Sequence, residues 1–318
     1  MDAPELIAGV IASDRRALAR AITHVEADTA TGRAIRAGLY SETGRAATVG
    51  ITGSAGVGKS TLVGRLARAL RELGRTVGIV AVDPSSPFSH GAILGDRIRM
   101  QDLTSDSGVF LRSMASRGNL GGLAETASGV VDVMDAAGYD VVLVETVGAG
   151  QDEVEVATAT QTTVLVTMPA GGDEVQSMKA GLMEVAQVMV VNKSDLAGAD
   201  TAVTQLKSLL ALASGRTWKP PILKVVAKAG EGLEDLVGAI DDHQAYLSGS
   251  EYAEEARREL VRSQVISLAR AALHREALEK AVSVGILDEL VDEVAARRRD
   301  PRSAAAALLE GVKASWDH

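Results

Sequence analysis

The residues with the clearest chemical potential form a glycine-rich stretch from Gly53 to Ser60, with the sequence G-S-A-G-V-G-K-S. The apolar run Ala47–Thr52 before it predicts a buried strand, and a helical pattern from Lys59 to Leu73 follows. In this setting, backbone N–H groups can close around phosphate oxygens at the positive end of the helix dipole. Lys59 would reach the β- and γ-phosphates, and the Ser60 hydroxyl would hold Mg²⁺. The stretch therefore predicts a P-loop that binds a nucleoside triphosphate.

The segment Asn192-Lys193-Ser194-Asp195 favours guanine as the base. A carboxylate at Asp195 can accept from both N1–H and the exocyclic amine of guanine, and adenine lacks that pair of donors. Asn192 can bond the other edge of the purine, and the Lys193 stem can lie against the base. A polar turn after a strand is the alternative, but the position downstream of a P-loop favours GTP over ATP. A further base-side loop is expected at Val226-Ala227-Lys228, although a plain glycine-rich loop fits that place equally well.

Glu145 and Gly148 are spaced to respond to Mg²⁺ and the γ-phosphate. Glu145 ends a predicted strand three residues before Gly148, whose N–H can bond the γ-phosphate only while that group is present. The length of the Glu145 side chain suggests contact through a Mg²⁺-bound water, and a capping acid on a loop is the alternative. Gln151 could orient the attacking water, or it could begin a helix.

Two aspartates are further candidates for the metal. Asp83 follows the second predicted strand, where Pro84 stiffens the exit, and it is placed to face the Mg²⁺ shell. Asp96 ends a long polar loop rich in Ser, Gly and Pro, which is a candidate for a segment ordered by nucleotide. Asp96 could join the metal when this loop closes. Solvent-facing carboxylates are the alternative for both residues.

Strand and helix patterns alternate from Ala47 to about residue 247, which predicts an α/β fold with a parallel sheet covered on both faces. The motifs fall beyond the carboxyl ends of the strands, where such sheets bind ligands. The predicted strands are short and mostly apolar: Ala47–Thr52, Thr76–Val82, Val109–Arg112, Asp140–Glu145, Thr163–Met168, Gln187–Asn192 and Ile222–Ala227. Predicted helices between them include Leu120–Ala137, Val175–Ala186 and Thr201–Ser214.

Three regions are predicted along the chain: an N-terminal helical segment (1–45), a P-loop domain (46–248) and a C-terminal helical region (249–318). Ser13-Asp14 predicts a cap before the helix Arg15–Val25, and Asp300-Pro301 opens a last helix through Val312. The patterns Glu251–His274 and Arg275–Arg299 predict two further helices. This region is too thin to bury a core of its own, so we expect it to pack on the domain or on a second subunit.

Composition narrows the class of protein. The chain has 318 residues, a net charge of −9, no cysteine and five scattered histidines, which argues against a nucleic-acid partner and against thiolate metal sites. No run approaches the roughly 18 apolar residues that a membrane span needs, and the N-terminus lacks the positive segment of a signal peptide. A cytoplasmic protein is therefore expected.

Together the motifs closely resemble the MeaB-type GTPases, G-protein chaperones of methylmalonyl-CoA mutase that older names call ArgK or LAO/AO transport system ATPase. The resemblance spans about residues 5 to 247 in order and extends loosely into the helical tail. Its matching stretches are GSAGVGKST at 53–61, VDPSSPFSHGAILGDRIRM at 82–100, SRGNLGGL at 116–123, VETVGAGQ at 144–151, GGDEVQSMK at 171–179 and NKSD at 192–195. His90 and Ala227 depart from it, where the family usually has Gly and a Ser-type base loop respectively.

The resemblance implies a slow GTPase that works as a homodimer paired through its C-terminal helices. It implies that the protein binds the adenosylcobalamin-dependent mutase and that GTP gates cofactor delivery or removal of a damaged cofactor. On the family pattern Asp83, Asp96 and Glu145 surround Mg²⁺, and Lys179, beside Asp173 and Glu174, relays partner contact to hydrolysis. The nucleotide-binding stretch then comprises Gly53, Ser54, Ala55, Gly56, Val57, Gly58, Lys59, Ser60 and Thr61.

Three other functions compete with this interpretation. A GTPase of metallocentre assembly would need metal-handling Cys and His motifs, and the chain has no cysteine. An ATP-dependent kinase of a transport system conflicts with Asn192 and Asp195. A nucleotide-loaded scaffold without turnover is the third, although Lys59, Ser60 and Gln151 make hydrolysis chemically feasible.

Overall fold

The chain divides into two compact units, Met1–Arg257 and Arg258–His318, and the predicted three-part division stays a prediction. The computed structural model describes residues 1–84, 103, 105–116, 122–146, 160–169, 185–212, 217–249, 251–283 and 285–314. The predictions for Asp96, Gly148, Gln151 and Lys179 therefore lie outside the described residues.

A parallel sheet organises the first unit. In the described part of the chain it has seven strands in the spatial order β3-β2-β4-β1-β5-β6-β7, and every pairing is parallel. The strands confirm the predicted set to within a few residues: β1 Ala47–Thr52, β2 Val77–Pro84, β3 Val109–Ser116, β4 Val141–Glu145, β5 Thr162–Thr167, β6 Val188–Asn192 and β7 Ile222–Val225. Since β1 lies centrally between β4 and β5, the loop after β1 opens at the crevice where strand order reverses.

Helices account for most of the remaining described residues. They are α1 Ala3–Ile11, α2 Arg15–Glu26, α3 Ala30–Leu39, α4 Lys59–Glu72, α5 Gly122–Ala136, α6 Ala199–Leu212, α7 Leu233–Gly249, α8 Glu251–Ser283, α9 Ile286–Ala295 and α10 Pro301–Ala314, with a 3₁₀ turn at Tyr40–Glu42. Across the described ranges, every helix is too short or too polar to cross a membrane.

Two predicted helix starts are confirmed, and one predicted boundary is wrong. The Asp14 carboxylate accepts from backbone N–H groups at the start of α2, and Asp300 caps α10 in the same way. The break expected after His274 is absent from α8, which continues to Ser283. No glycine or proline interrupts residues 251–283, so the helix ends only ahead of Gly285, whose φ is +75°.

Helices cover both faces of the sheet, as predicted. On one face α4 and α7 pack over β-strand residues such as Val49 and Leu143. On the other face α1, α2, α3 and α5 pack over neighbouring strand residues such as Val80 and Val142. Residues of one strand contribute alternately to the two cores because successive side chains point to opposite faces of the sheet. The N-terminal helices thus share one continuous core with the sheet.

Asp132 on α5 gives the core a pH dependence. Burial raises the pKa of this carboxyl from 3.8 to about 6; the Arg36 charge opposes that rise and the Asp135 charge adds to it. Because the folded-state value exceeds the unfolded one, the ionised carboxylate costs stability above about pH 6, and that cost disappears as the pH falls toward 4. We expect Asp132→Asn to raise the free energy of unfolding by about 1–3 kcal/mol at pH 8 and to have little effect near pH 4.

Urea unfolding at the two pH values measures this difference. Asp135→Asn is the matched control, because the Asp135 carboxylate accepts the backbone N–H groups of Gly44, Arg45 and Ala46 and so holds the segment that leads into β1. That variant should lower stability at both pH values. Equal stabilisation by Asp132→Asn at pH 8 and pH 4 would contradict the proposed cause.

Candidate nucleotide-binding site

The P-loop connects β1 to α4 and depends on glycine at two positions. Gly53 has a φ of +142°, and an added Cβ would lie 2.0 Å from the Val166 carbonyl oxygen. Gly58, at +97°, is the N-cap residue before α4, and an added Cβ would lie 2.5 Å from the Asn192 side-chain nitrogen. Since both positions combine left-handed backbone with close neighbours, only glycine fits them. The loop is therefore shaped by the neighbouring strands β5 and β6.

The Lys59 side chain contacts the backbone of the P-loop. Its side chain is buried, and Nζ donates hydrogen bonds to the carbonyl oxygens of Gly53 at 2.6 Å and Ser54 at 3.0 Å. Both carbonyls belong to the P-loop, so the ammonium group is held against the backbone of the loop that leads into α4. The arrangement places one full positive charge where the phosphate chain of a nucleotide would lie.

Ser60 and Glu145 form a pair of oxygen donors beside the P-loop. Ser60 Oγ donates to Glu145 Oε1 at 2.5 Å, and Glu145 is buried at the end of β4. Glu145 pairs in the sheet with Ala81 of β2, so Asp83 follows two residues further along the adjacent strand. Strand pairing thus brings the backbones of two predicted metal-site residues to the same edge of the sheet.

This donor set fits Mg²⁺. Mg²⁺ prefers oxygen ligands and is usually bound by one or two carboxylates together with substrate phosphates. A hydroxyl can donate its hydrogen to Glu145 while an oxygen lone pair faces a cation. Within the described ranges, no group of three or more His, Asp or Glu side chains gathers into a metal site, so a cation here would depend on the phosphates as well.

The Asn192 side chain joins the predicted base-binding segment to the P-loop. It is buried at the end of β6, donates from Nδ2 to the Val57 carbonyl at 2.8 Å and accepts the Ala227 N–H at 3.0 Å. The amide keeps one further hydrogen and one further lone pair, so it could also bond a purine. That contact stays a prediction. The Lys193 Nζ donates to the Gly56 carbonyl at 2.8 Å, so two neighbouring side chains hold the P-loop from the base side.

The loop after β7 lies next to this segment. Val226 pairs with Glu231 to close the loop, and Ala227 is buried against Asn192. Asp195 is exposed at the same edge of the sheet, in the turn that follows β6. The structure thus brings together the predicted site residues: the P-loop, Ser60, Glu145, the Asn192–Asp195 segment and Ala227.

Arg65 is a further residue at this site, and no sequence motif marks it. Its guanidinium donates to the Lys228 carbonyl at 2.8 Å.

These features define the class of protein. A P-loop after the central strand, an acidic residue on the neighbouring strand and an N-K-x-D segment at the same sheet edge are the parts of a P-loop nucleotide-binding protein. The family model described as methylmalonyl Co-A mutase-associated GTPase MeaB matches residues 18–282, and the chain belongs to this family. The resemblance predicted from the motifs is thereby confirmed.

Known proteins resemble the chain over most of its length. A Pyrococcus abyssi protein whose name includes the word GTPase is 43% identical, covering 97% of this chain and 96% of its own. The mouse protein named methylmalonic aciduria type A homolog, mitochondrial, is 34% identical, covering 77% of this chain and 64% of its own. A solved structure of a LAO/AO transport system kinase superimposes with a TM-score of 0.73 at 26% identity, covering 98% of this chain and 97% of its own. The family and the relatives support a nucleotide hydrolase.

Proposed function

We propose that this protein binds GTP with Mg²⁺ and hydrolyses it slowly to GDP and phosphate. One observation carries the choice of guanine: Asn192 bonds both the P-loop carbonyl of Val57 and the Ala227 N–H. This places the N-K-x-D segment and the phosphate-binding loop at one site, so that Asp195 can read the base of a nucleotide whose phosphates lie on the P-loop.

We propose separate roles at the phosphates for residues inside and outside the described ranges. Lys59 offsets negative charge on the β- and γ-phosphates, and the backbone N–H groups from Gly53 to Thr61 orient them. Ser60 and Glu145 would hold Mg²⁺, together with Asp83 and Asp96. The metal would neutralise charge that develops on the transferred phosphoryl group. We assign γ-phosphate contact to Gly148, orientation of the attacking water to Gln151 and a relay from the partner to Lys179.

The proposed partner is an adenosylcobalamin-dependent methylmalonyl-CoA mutase. The family description names association with this enzyme, and the name of the mouse relative refers to methylmalonic aciduria. We propose that the GTP-bound and GDP-bound forms bind the mutase differently and so gate loading of its cofactor, or its protection and reactivation. A ligand can shift such an equilibrium only through different affinities for the two states, and the γ-phosphate supplies that difference.

A homodimer paired through the C-terminal helices completes the proposal. Helix α8 exposes large apolar side chains within its described part, among them Val265 at 59%, Leu273 at 55% and Val282 at 62% of their surface. Exposed apolar side chains in such number are typical of surfaces that another protein covers, and a second copy of the chain would present the same side chains in return. The cytoplasm remains the predicted compartment.

Mixing the protein with the methylmalonyl-CoA mutase of the same organism tests the partner. We expect a stable complex by size-exclusion chromatography with light scattering and a rise in GTP turnover of roughly tenfold, the order set by a coupling free energy of 1–3 kcal/mol. The response should be absent with ATP. A complex without any change in turnover or in cofactor transfer would contradict the gating role, and no complex would contradict the partner.

A further inference from the structure

We propose that Arg65 is a positioning residue for guanine recognition, which holds the base-side loop in place from the P-loop helix. The inference deepens the proposed function and rests on it, because it assumes that the loop after β7 meets a guanine base. Arg65 belongs to none of the motifs. It lies in the middle of α4, on the sixth residue after Lys59.

Packing between two helices brings Arg65 to the loop. Helix α4 contributes Leu62 and Leu66 to the same core cluster as Leu233 and Leu236 of α7. Helix α7 begins directly after the base-side loop, so the two helices run close together at that end. The Arg65 Nη2 donates to the Lys228 carbonyl at 2.8 Å, a contact that joins residues 163 positions apart in the chain.

Residues outside the loop anchor it at two peptide groups, one on each side of the Ala227–Lys228 peptide. The Ala227 N–H donates to Asn192 Oδ1, and the Lys228 carbonyl accepts from Arg65. Within the loop, Val226 N–H donates to the Glu231 carbonyl at 3.1 Å. The two outside anchors flank the Ala227–Lys228 peptide and therefore fix its orientation.

Both anchoring residues, Asn192 and Arg65, are also connected to the phosphate-binding part of the site. Asn192 reaches the P-loop through the Val57 carbonyl, and Arg65 belongs to the helix that begins at Lys59. The Arg65 hydrogen bond has a charged donor but is exposed to solvent, whereas the Asn192 hydrogen bond is buried, so the two anchors hold the loop from two sides by different means. Without Arg65, the loop would keep its internal hydrogen bonds but would lose one of these two outside anchors, so the base contact would weaken while the phosphate contact remained.

Binding of two probes, GDP and inorganic tripolyphosphate with Mg²⁺, separates the two contacts. We expect Arg65→Met to weaken GDP binding by about two- to tenfold, the loss that corresponds to one solvent-exposed hydrogen bond, and to leave tripolyphosphate binding unchanged. Arg65→Lys keeps a charged donor and should recover most of the GDP affinity. Arg20→Met, at an exposed position on α2, is the matched control and should bind both probes as the wild type does. Thermal unfolding without nucleotide confirms that each variant is folded.

The outcomes distinguish this inference from the proposed function. If the wild type prefers GDP to ADP but Arg65→Met binds GDP normally, or loses GDP and tripolyphosphate equally, the positioning role is wrong and the guanine site stands. If Arg65→Lys binds no better than Arg65→Met, the charged donor is not what holds the loop. If the wild type binds GDP and ADP equally, the guanine site itself fails, and the role of Arg65 fails with it.

Discussion

Replacing Lys59 by alanine should abolish GTP binding and hydrolysis and leave the fold intact. The Lys59 side chain is buried, and its ammonium group is held by the carbonyls of Gly53 and Ser54, so a full positive charge lies directly on the P-loop. Its loss removes the charge that offsets the β- and γ-phosphates. We expect turnover to fall by about a hundredfold or more, the order seen when one charge-stabilising donor is removed from an active site.

Calorimetric titration with a non-hydrolysable GTP analogue and a phosphate-release assay measure this loss. Lys207→Ala is the matched control, because Lys207 is an exposed lysine on α6. The fold should survive in both variants, since the hydrogen bonds of Lys59 to the carbonyls of Gly53 and Ser54 are worth about 1 kcal/mol each. Normal GTP binding by Lys59→Ala would remove the P-loop from the mechanism.

Replacing Asp195 by asparagine should change the preferred base from guanine to xanthine. The carboxylate can accept from both N1–H and the 2-amino group of guanine, whereas an amide keeps one acceptor and presents one donor. Xanthine has a carbonyl in place of the 2-amino group and matches that pattern. We expect GDP affinity to fall by about 10- to 100-fold, as two charge-assisted hydrogen bonds are lost, and affinity for xanthosine diphosphate to rise.

Competition of GDP, xanthosine diphosphate and ADP against a fluorescent nucleotide measures the change in base preference. Asp195 is exposed, so the substitution should not perturb folding. Asp242→Asn, at another exposed aspartate, is the control and should keep the wild-type order. An Asp195→Asn variant that still prefers GDP to xanthosine diphosphate would show that another residue reads the base.

Local signals in the sequence predict most of the elements. The run Ala47–Thr52, the glycines after it and the helical pattern from Lys59 predict β1, the presence of the P-loop and the start of α4, because these signals lie in residues close together in the sequence. Asp14 and Asp300 mark helix starts for the same reason. The sequence predicts the ends of strands less well where hydrogen bonding to a neighbouring segment sets them. The edge strand β3 runs past Arg112 to Ser116 because β2 pairs with it as far as Pro84, and β7 stops at Val225 because Val226 turns to meet Glu231.

The sequence by itself determined a P-loop, a guanine-type segment and an alternation of strands and helices. Only the tertiary structure decided that β4 lies between β1 and β2, which brings Glu145 within 2.5 Å of Ser60 across 85 residues of chain. The same holds for the contact of Asn192 with Val57 and for that of Arg65 with Lys228. Side-chain periodicity reports which face of an element is buried, but it carries no information on the element's neighbour. Contacts between loops follow from strand order and helix packing, so they exist only once the whole sheet is assembled.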